Sequence, residues 1–177
     1  MSEIRNAWGF TLFADDLRHE IGGKVSLIGI YPAELIQPME FPITIPKLAM
    51  LIKYYEVKGA LKGDLNVKIF LPGDPEGMAT LSWTISEATK GTAQTPYEPA
   101  SDGDIVFNLT MPIIVSPLTI KEEGFVRVRV QSGDTTTRLG RLMIRKVRDT
   151  DNLHVIPSTI ASAPLSSQSP PAAPASC

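Results

Sequence analysis

The sequence predicts an all-β domain: an antiparallel two-sheet β-sandwich of the immunoglobulin-like, Greek-key type, with about eight strands. Three observations predict it. Apolar and polar residues alternate with period two through most of residues 7–147, and turn-forming glycine, proline and aspartate recur between the alternating runs. No stretch of a dozen residues carries a helical apolar stripe.

Successive side chains point to opposite faces of a strand, so each run assigns an inward set. "WGFTLFA" offers Trp8, Phe10, Leu12 and Ala14 as a core face, and "KVSLIGIY" supplies the next strand. "KLAMLIKYY" is apolar on both faces in its first half, as expected of a central strand. "LNVKIFL" sends Leu65, Val67, Ile69 and Leu71 inward, and "TLSWTIS" sends Leu81, Trp83 and Ile85. "DIVFNLTMPI" does the same with Ile105, Phe107, Leu109, Met111 and Ile113. Turn signals separate these runs at "GG" 22–23, "KGD" 62–64, "PGDPEG" 72–77, "KGT" 90–92, "SDGD" 101–104, "EEG" 122–124 and "SGD" 132–134. The strands differ in how many faces they bury, which favours a sandwich over a closed barrel.

The last hairpin permits a register test. "FVRVRVQ" turns Val126, Val128 and Val130 inward. After the turn, Leu139 falls on one phase and Leu142 and Ile144 on the other, with Gly140 where the phase changes. A β-bulge at Gly140 brings all three to the core. Arg127, Arg129, Arg138, Arg141 and Arg145 then share the outer face.

The 177 residues suit one domain with a core of its own, and the 43% hydrophobic content is that of a globular chain. The formal charge of −2 gives no global pull toward nucleic acid or acidic membranes. The only cysteine is Cys177, so no intrachain disulfide forms. From Asp149 the composition changes to proline, alanine and serine, with no charged side chain after Asp151. The expected organisation is therefore a sandwich over 1–148 and a disordered, polyproline-prone tail over 149–177. There is no signal-peptide pattern, and no run approaches the roughly 18 apolar residues of a membrane helix, so the expected location is cytoplasmic.

"ADDLRHEIGGKVSLIGIY" gathers Asp15, Asp16, Arg18, His19 and Glu20 before Gly22, Gly23 and Lys24. A zinc-protease motif needs a second histidine four residues after His19, where Gly23 stands. A phosphate loop needs glycine and serine or threonine where Arg18 and Val25 stand, and must open a helix rather than a strand. There is no G-x-S-x-G elbow, and the sole cysteine is in the tail. The stretch reads as a structural turn, with an aspartate capping it, Arg18 paired to Glu20 or a neighbouring acid, and the glycines reversing the chain. No catalytic residue, metal or cofactor is expected. A calcium or cation-dependent enzyme site would need the loop acids Asp15, Asp16, Asp74, Glu76, Asp102 and Asp104 to converge.

The arginine face is the most specific physical feature. Residues 127–148 hold six arginines and one lysine against one aspartate, in a chain of net negative charge. Such a row suits an acidic surface or phosphate. Outward charge also protects edge strands from aggregation. Interleaved aromatics for base stacking are missing, which argues against nucleic acid and for an acidic protein partner. A nucleic-acid or polyanion binder is the alternative on the same face, and an uncovered edge strand would allow a homodimer.

The opening stretch resembles the N-terminal signature of a family of short bacterial proteins grouped as a domain of unknown function. That signature runs acid-x-Arg-x-Glu, then Gly-Lys, a hydroxyl residue, Leu, x, Gly, an aliphatic and an aromatic. Asp16, Arg18, Glu20, Gly23, Lys24, Ser26, Leu27, Gly29, Ile30 and Tyr31 match it, and "EEGFVRVRV", Glu122 to Val130, is similar to the family's closing strand. The resemblance covers Phe10 to Val147. It implies a bacterial, mostly β, intracellular protein and no activity.

Overall fold

A computed structural model of the chain describes residues 7–57, 63–87, 106–149 and 151. The chain divides into two units, Met1–Val147 and Arg148–Cys177. The first holds eleven strands among the described residues: β1 Ala7–His19, β2 Val25–Ile30, β3 Glu34–Gln37, β4 Ile43–Ile45, β5 Leu48–Val57, β6 Leu65–Phe70, β7 Leu81–Ile85, β8 Val106–Val115, β9 Leu118–Ile120, β10 Gly124–Ser132 and β11 Thr135–Lys146. The eight longest are those legible in the sequence; β3, β4 and β9, of three or four residues, are too short to show a period. The expected tail over 149–177 and the turns at 90–92 and 101–104 fall outside the described residues, apart from Asp149 and Asp151 at the tail's start.

One sheet has the order β2-β1-β5-β8 and the other β3-β11-β10-β6-β7, with β4-β9 as a separate ribbon. Within these, β1-β5-β8 and β7-β6-β10-β11 reproduce the two faces of an immunoglobulin-like sandwich, with β7 as the added edge strand next to β6. Among the described residues every strand pair is antiparallel except one. β3 runs parallel to β11, a correction to the all-antiparallel expectation, because the long crossover through β4 to β10 returns the chain to that edge in the same direction as β3.

The core lies between the sheets. β5 contributes Leu48, Met50, Ile52 and Tyr54, β6 contributes Leu65, Val67 and Ile69, and β10 contributes Val126, Val128 and Val130, all almost completely buried. β5 is indeed central, flanked by β1 and β8. The register of β10 with β11 slips between Val128, opposite Gly140, and Arg129, opposite Arg138, leaving Leu139 as the extra residue. Gly140 adopts φ +141 there, and Leu139, Leu142 and Ile144 are all buried. The bulge read from the phase change is present.

β1 takes the opposite phase from the one its aromatics suggest. Trp8 and Phe10 are 39% and 45% exposed on the outer face, with Trp8 stacked on Tyr55 of β5 at 5.6 Å between ring centroids. The reason is the tight packing of β1 against β5 and β11. A Cβ at Gly9 would lie 2.1 Å from the Lys53 carbonyl oxygen of β5 and 2.9 Å from Leu139 Cδ2 of β11, and Thr11 backs onto Gly140, so only small residues fit inward at this end. Phe13 reaches the core lower down.

Candidate functional site

The acid-rich opening stretch is mostly strand, which corrects its reading as a turn. Asp15, Asp16, Arg18 and His19 lie in β1, where Asp16 pairs with Ile28, Arg18 with Ser26 and His19 with Val25 across to β2. The reversal is confined to the residues from Glu20 to Lys24, closed by the Glu20 amide donating to the Lys24 carbonyl at 2.8 Å. Gly22 and Gly23 adopt φ +81 and +74 within it. The long ladder to β2 extends the strand further than its charged composition suggests.

The aspartates have structural partners. Tyr31 donates its hydroxyl to Asp15, across Gly29. Gly29 has φ +67, and a Cβ there would lie 2.1 Å from the Asp15 carboxylate, so a side chain at this position is strained and must push Asp15 aside. Burial and the Asp15 charge push the Tyr31 phenol well above its usual range. Asp16 accepts from Lys47 Nζ at 2.8 Å and from the Leu17 amide at 2.8 Å, which hold its carboxyl below the usual range. Asp16, expected as a turn cap, is thus paired with Lys47, far along the chain. His19 and Lys24 take part in none of these bonds. Among the described residues no three histidine, cysteine or acidic side chains gather around a common point.

The arginine face is a built site. Its rows follow from the hairpin register: Arg127 lies opposite Arg141, and Arg129 opposite Arg138, so four guanidinium groups bracket the β10–β11 seam. They line a groove of about 710 Å3 with Glu76, Phe125 and the backbone around Val128 and Gly140. Arg127 and Arg129 lie over the Phe70 ring at 5.1 and 5.0 Å, and Arg141 over Phe125 at 4.4 Å. Contact of this kind shields one side of each of these three guanidinium groups from water, which sharpens its attraction for an anion.

Glu76 is the member that the sequence did not place. It stands on the β6–β7 loop and receives Arg127 Nη1 at 2.9 Å and Arg129 Nη2 at 3.0 Å, with a second bond from Arg129 Nη1. The bond from Arg129 and the charges of Arg129, Arg127 and Arg138 hold its carboxyl below the usual range. Asp74, at the root of the loop, accepts from the Leu71 amide at 2.9 Å, the Thr80 amide at 2.9 Å and the Thr80 hydroxyl at 2.7 Å. Partial desolvation pushes the Asp74 carboxyl up, but these bonds and the Arg127 charge outweigh it and leave it depressed. Both acids are therefore spoken for by the protein itself. Of the cation-site set, Asp102 and Asp104 lie outside the described residues.

Arg145 does not join the groove. It is 11% exposed and forms a two-point pair with Glu34 of β3, Nε at 2.9 Å and Nη2 at 2.7 Å. The parallel β3–β11 pairing, invisible in the sequence, brings that acid alongside. Arg138 and Arg141 differ: among the described residues neither has a carboxylate within ion-pair distance. The site is a shallow cationic trough holding one carboxylate already.

No family model matches the chain, and no curated protein matches its sequence. Among the described residues no helix is long and apolar enough to cross a membrane.

Proposed function

We propose that the chain is a non-enzymatic binding module, acting in the cytoplasm, that holds an acidic segment of a protein partner in the β10–β11 groove. The observation that carries this reading is the charge count there: four guanidinium groups, three of them laid over aromatic rings, against the single carboxylate of Glu76. Carboxylates are the natural complement of such planar forks. Of the two rings at the groove, Phe70 is buried beneath Arg127 and Arg129, so interleaved exposed aromatics of the kind that bind single-stranded nucleic acid are few there. Asp15 and Asp16 are occupied by Tyr31 and Lys47, which supports a structural rather than a cation-dependent catalytic role for the opening stretch. Membership of the bacterial family whose signature that stretch resembles belongs to the same proposal.

The test is fluorescence anisotropy with a labelled oligoglutamate peptide, with a labelled oligonucleotide as the rival. The double variant Arg138→Ser, Arg141→Ser is expected to weaken peptide binding about tenfold or more, with little change in melting temperature because both side chains are exposed. Equal binding by the variant, or preference for the oligonucleotide at equal charge, contradicts the reading.

A further inference from the structure

The groove holds two carboxylate subsites in different states. At the first, Arg127 and Arg129 already grip Glu76. At the second, directly across the seam, Arg141 and Arg138 face solvent without an acid partner. Cross-strand neighbours of this kind stand about 5 Å apart at Cβ, so the two subsites are spaced for acidic side chains one or two positions apart in one peptide.

Glu76 has the properties of a removable occupant. Its side chain is 69% exposed although both of its arginines are mostly covered, at 25% and 16%. The arginines do not depend on it for their position, because Phe70 supports both from below. The loop does not depend on it either. Asp74 ties the loop root to Leu71 and Thr80, and the Asp74 carbonyl accepts a separate bond from Arg127 Nη2 at 2.7 Å. Releasing Glu76 therefore frees an exposed carboxylate, while Phe70 and the Asp74 carbonyl keep their contacts with the arginines.

Building on the proposed acidic partner, we infer that Glu76 is a built-in competitor seated in one of two carboxylate subsites. The ligand is a segment with two nearby carboxylates, one taken by Arg138 and Arg141 while the other displaces Glu76 from Arg127 and Arg129. A single carboxylate gains too little at the open subsite, and the occupied one rejects it. The site thus selects paired acids over isolated ones.

The experiment compares wild type, Glu76→Gln and Glu34→Gln for binding to the same oligoglutamate peptide, with melting temperatures recorded for each. Glu34→Gln removes an equal charge from the same sheet but outside the groove, where Glu34 serves Arg145. Glu76→Gln is expected to tighten binding about fivefold, and Glu34→Gln to change it less than about twofold. Equal tightening by both variants means bulk charge and overturns the inference. Wild-type binding that Glu76→Gln leaves unchanged or weakens also overturns it, while the acidic-partner reading stands. Binding by none of the three removes that reading as well. A large loss of melting temperature in Glu76→Gln makes Glu76 a brace for the loop and overturns the inference.

Discussion

Tyr54 and Glu56 point the same way from β5, two residues apart, into the space between the sheets. Each is at most 1% exposed, and the Tyr54 hydroxyl donates to Glu56 Oε2 at 2.8 Å. Burial and the Glu56 carboxylate push the Tyr54 phenol far above its usual range, while a bond from Ser132 acts in the opposite sense. Taking one hydrogen-bond donor away from the buried Glu56 carboxylate removes part of what offsets its desolvation. Tyr54→Phe is therefore expected to lower stability by about 1–3 kcal/mol in urea unfolding; a loss below about 0.5 kcal/mol contradicts the assignment. The sequence places Tyr54 in a central strand without assigning its facing, and it says nothing of Glu56, whose position two residues on puts a carboxylate in the core. Glu76 was equally hidden. It sits in a "PGDPEG" turn legible as a turn, yet its partners are on β10, brought beside it only by the sandwich topology. Local pattern reads secondary structure well, and side-chain partners distant in the chain leave no local mark.

At the scale of the strand, period and bulge were legible, and facing was legible only where one phase is clearly apolar. β6 and β10 alternate sharply and face as expected. In β1 both phases carry apolar residues, so composition favoured Trp8 and Phe10, while close contact with β5 and β11 admitted only Gly9 and Thr11. The β1–β2 hairpin shows the converse. Its charges drew attention as possible chemistry, but its fixed feature is Gly29, held at φ +67 beneath Asp15. Gly29→Ala adds a strained backbone angle and a collision, and is expected to cost more than about 1 kcal/mol. Thermal melting checks this, and Asp15→Ala in the same background should recover part of the loss by vacating the space. Full stability in Gly29→Ala alone would mean that the hairpin bends freely and that Asp15 is not locked to Tyr31.

For the molecule as a whole, the two sheets divide the labour. The four-stranded sheet meets solvent through apolar side chains, including Trp8, Phe10, Ile28, Ile30 and Ile114. The five-stranded sheet meets it through guanidinium groups laid over Phe70 and Phe125. The sequence showed the arginine row but not its division. Arg145 is consumed by β3, Arg127 and Arg129 are shared with Glu76, and Arg138 and Arg141 remain open, because these outcomes depend on which loop and which edge strand land beside each residue. In the proposed function, this seam is where the protein meets its ligand. Titration of the protein, labelled with 15N at arginine, with oligoglutamate peptide tests it most directly. The Nε–H resonances of Arg127, Arg129, Arg138 and Arg141 are predicted to shift together and saturate while those of Arg18 and Arg145 stay in place; shifts centred on Arg18, or none at the seam, would contradict it.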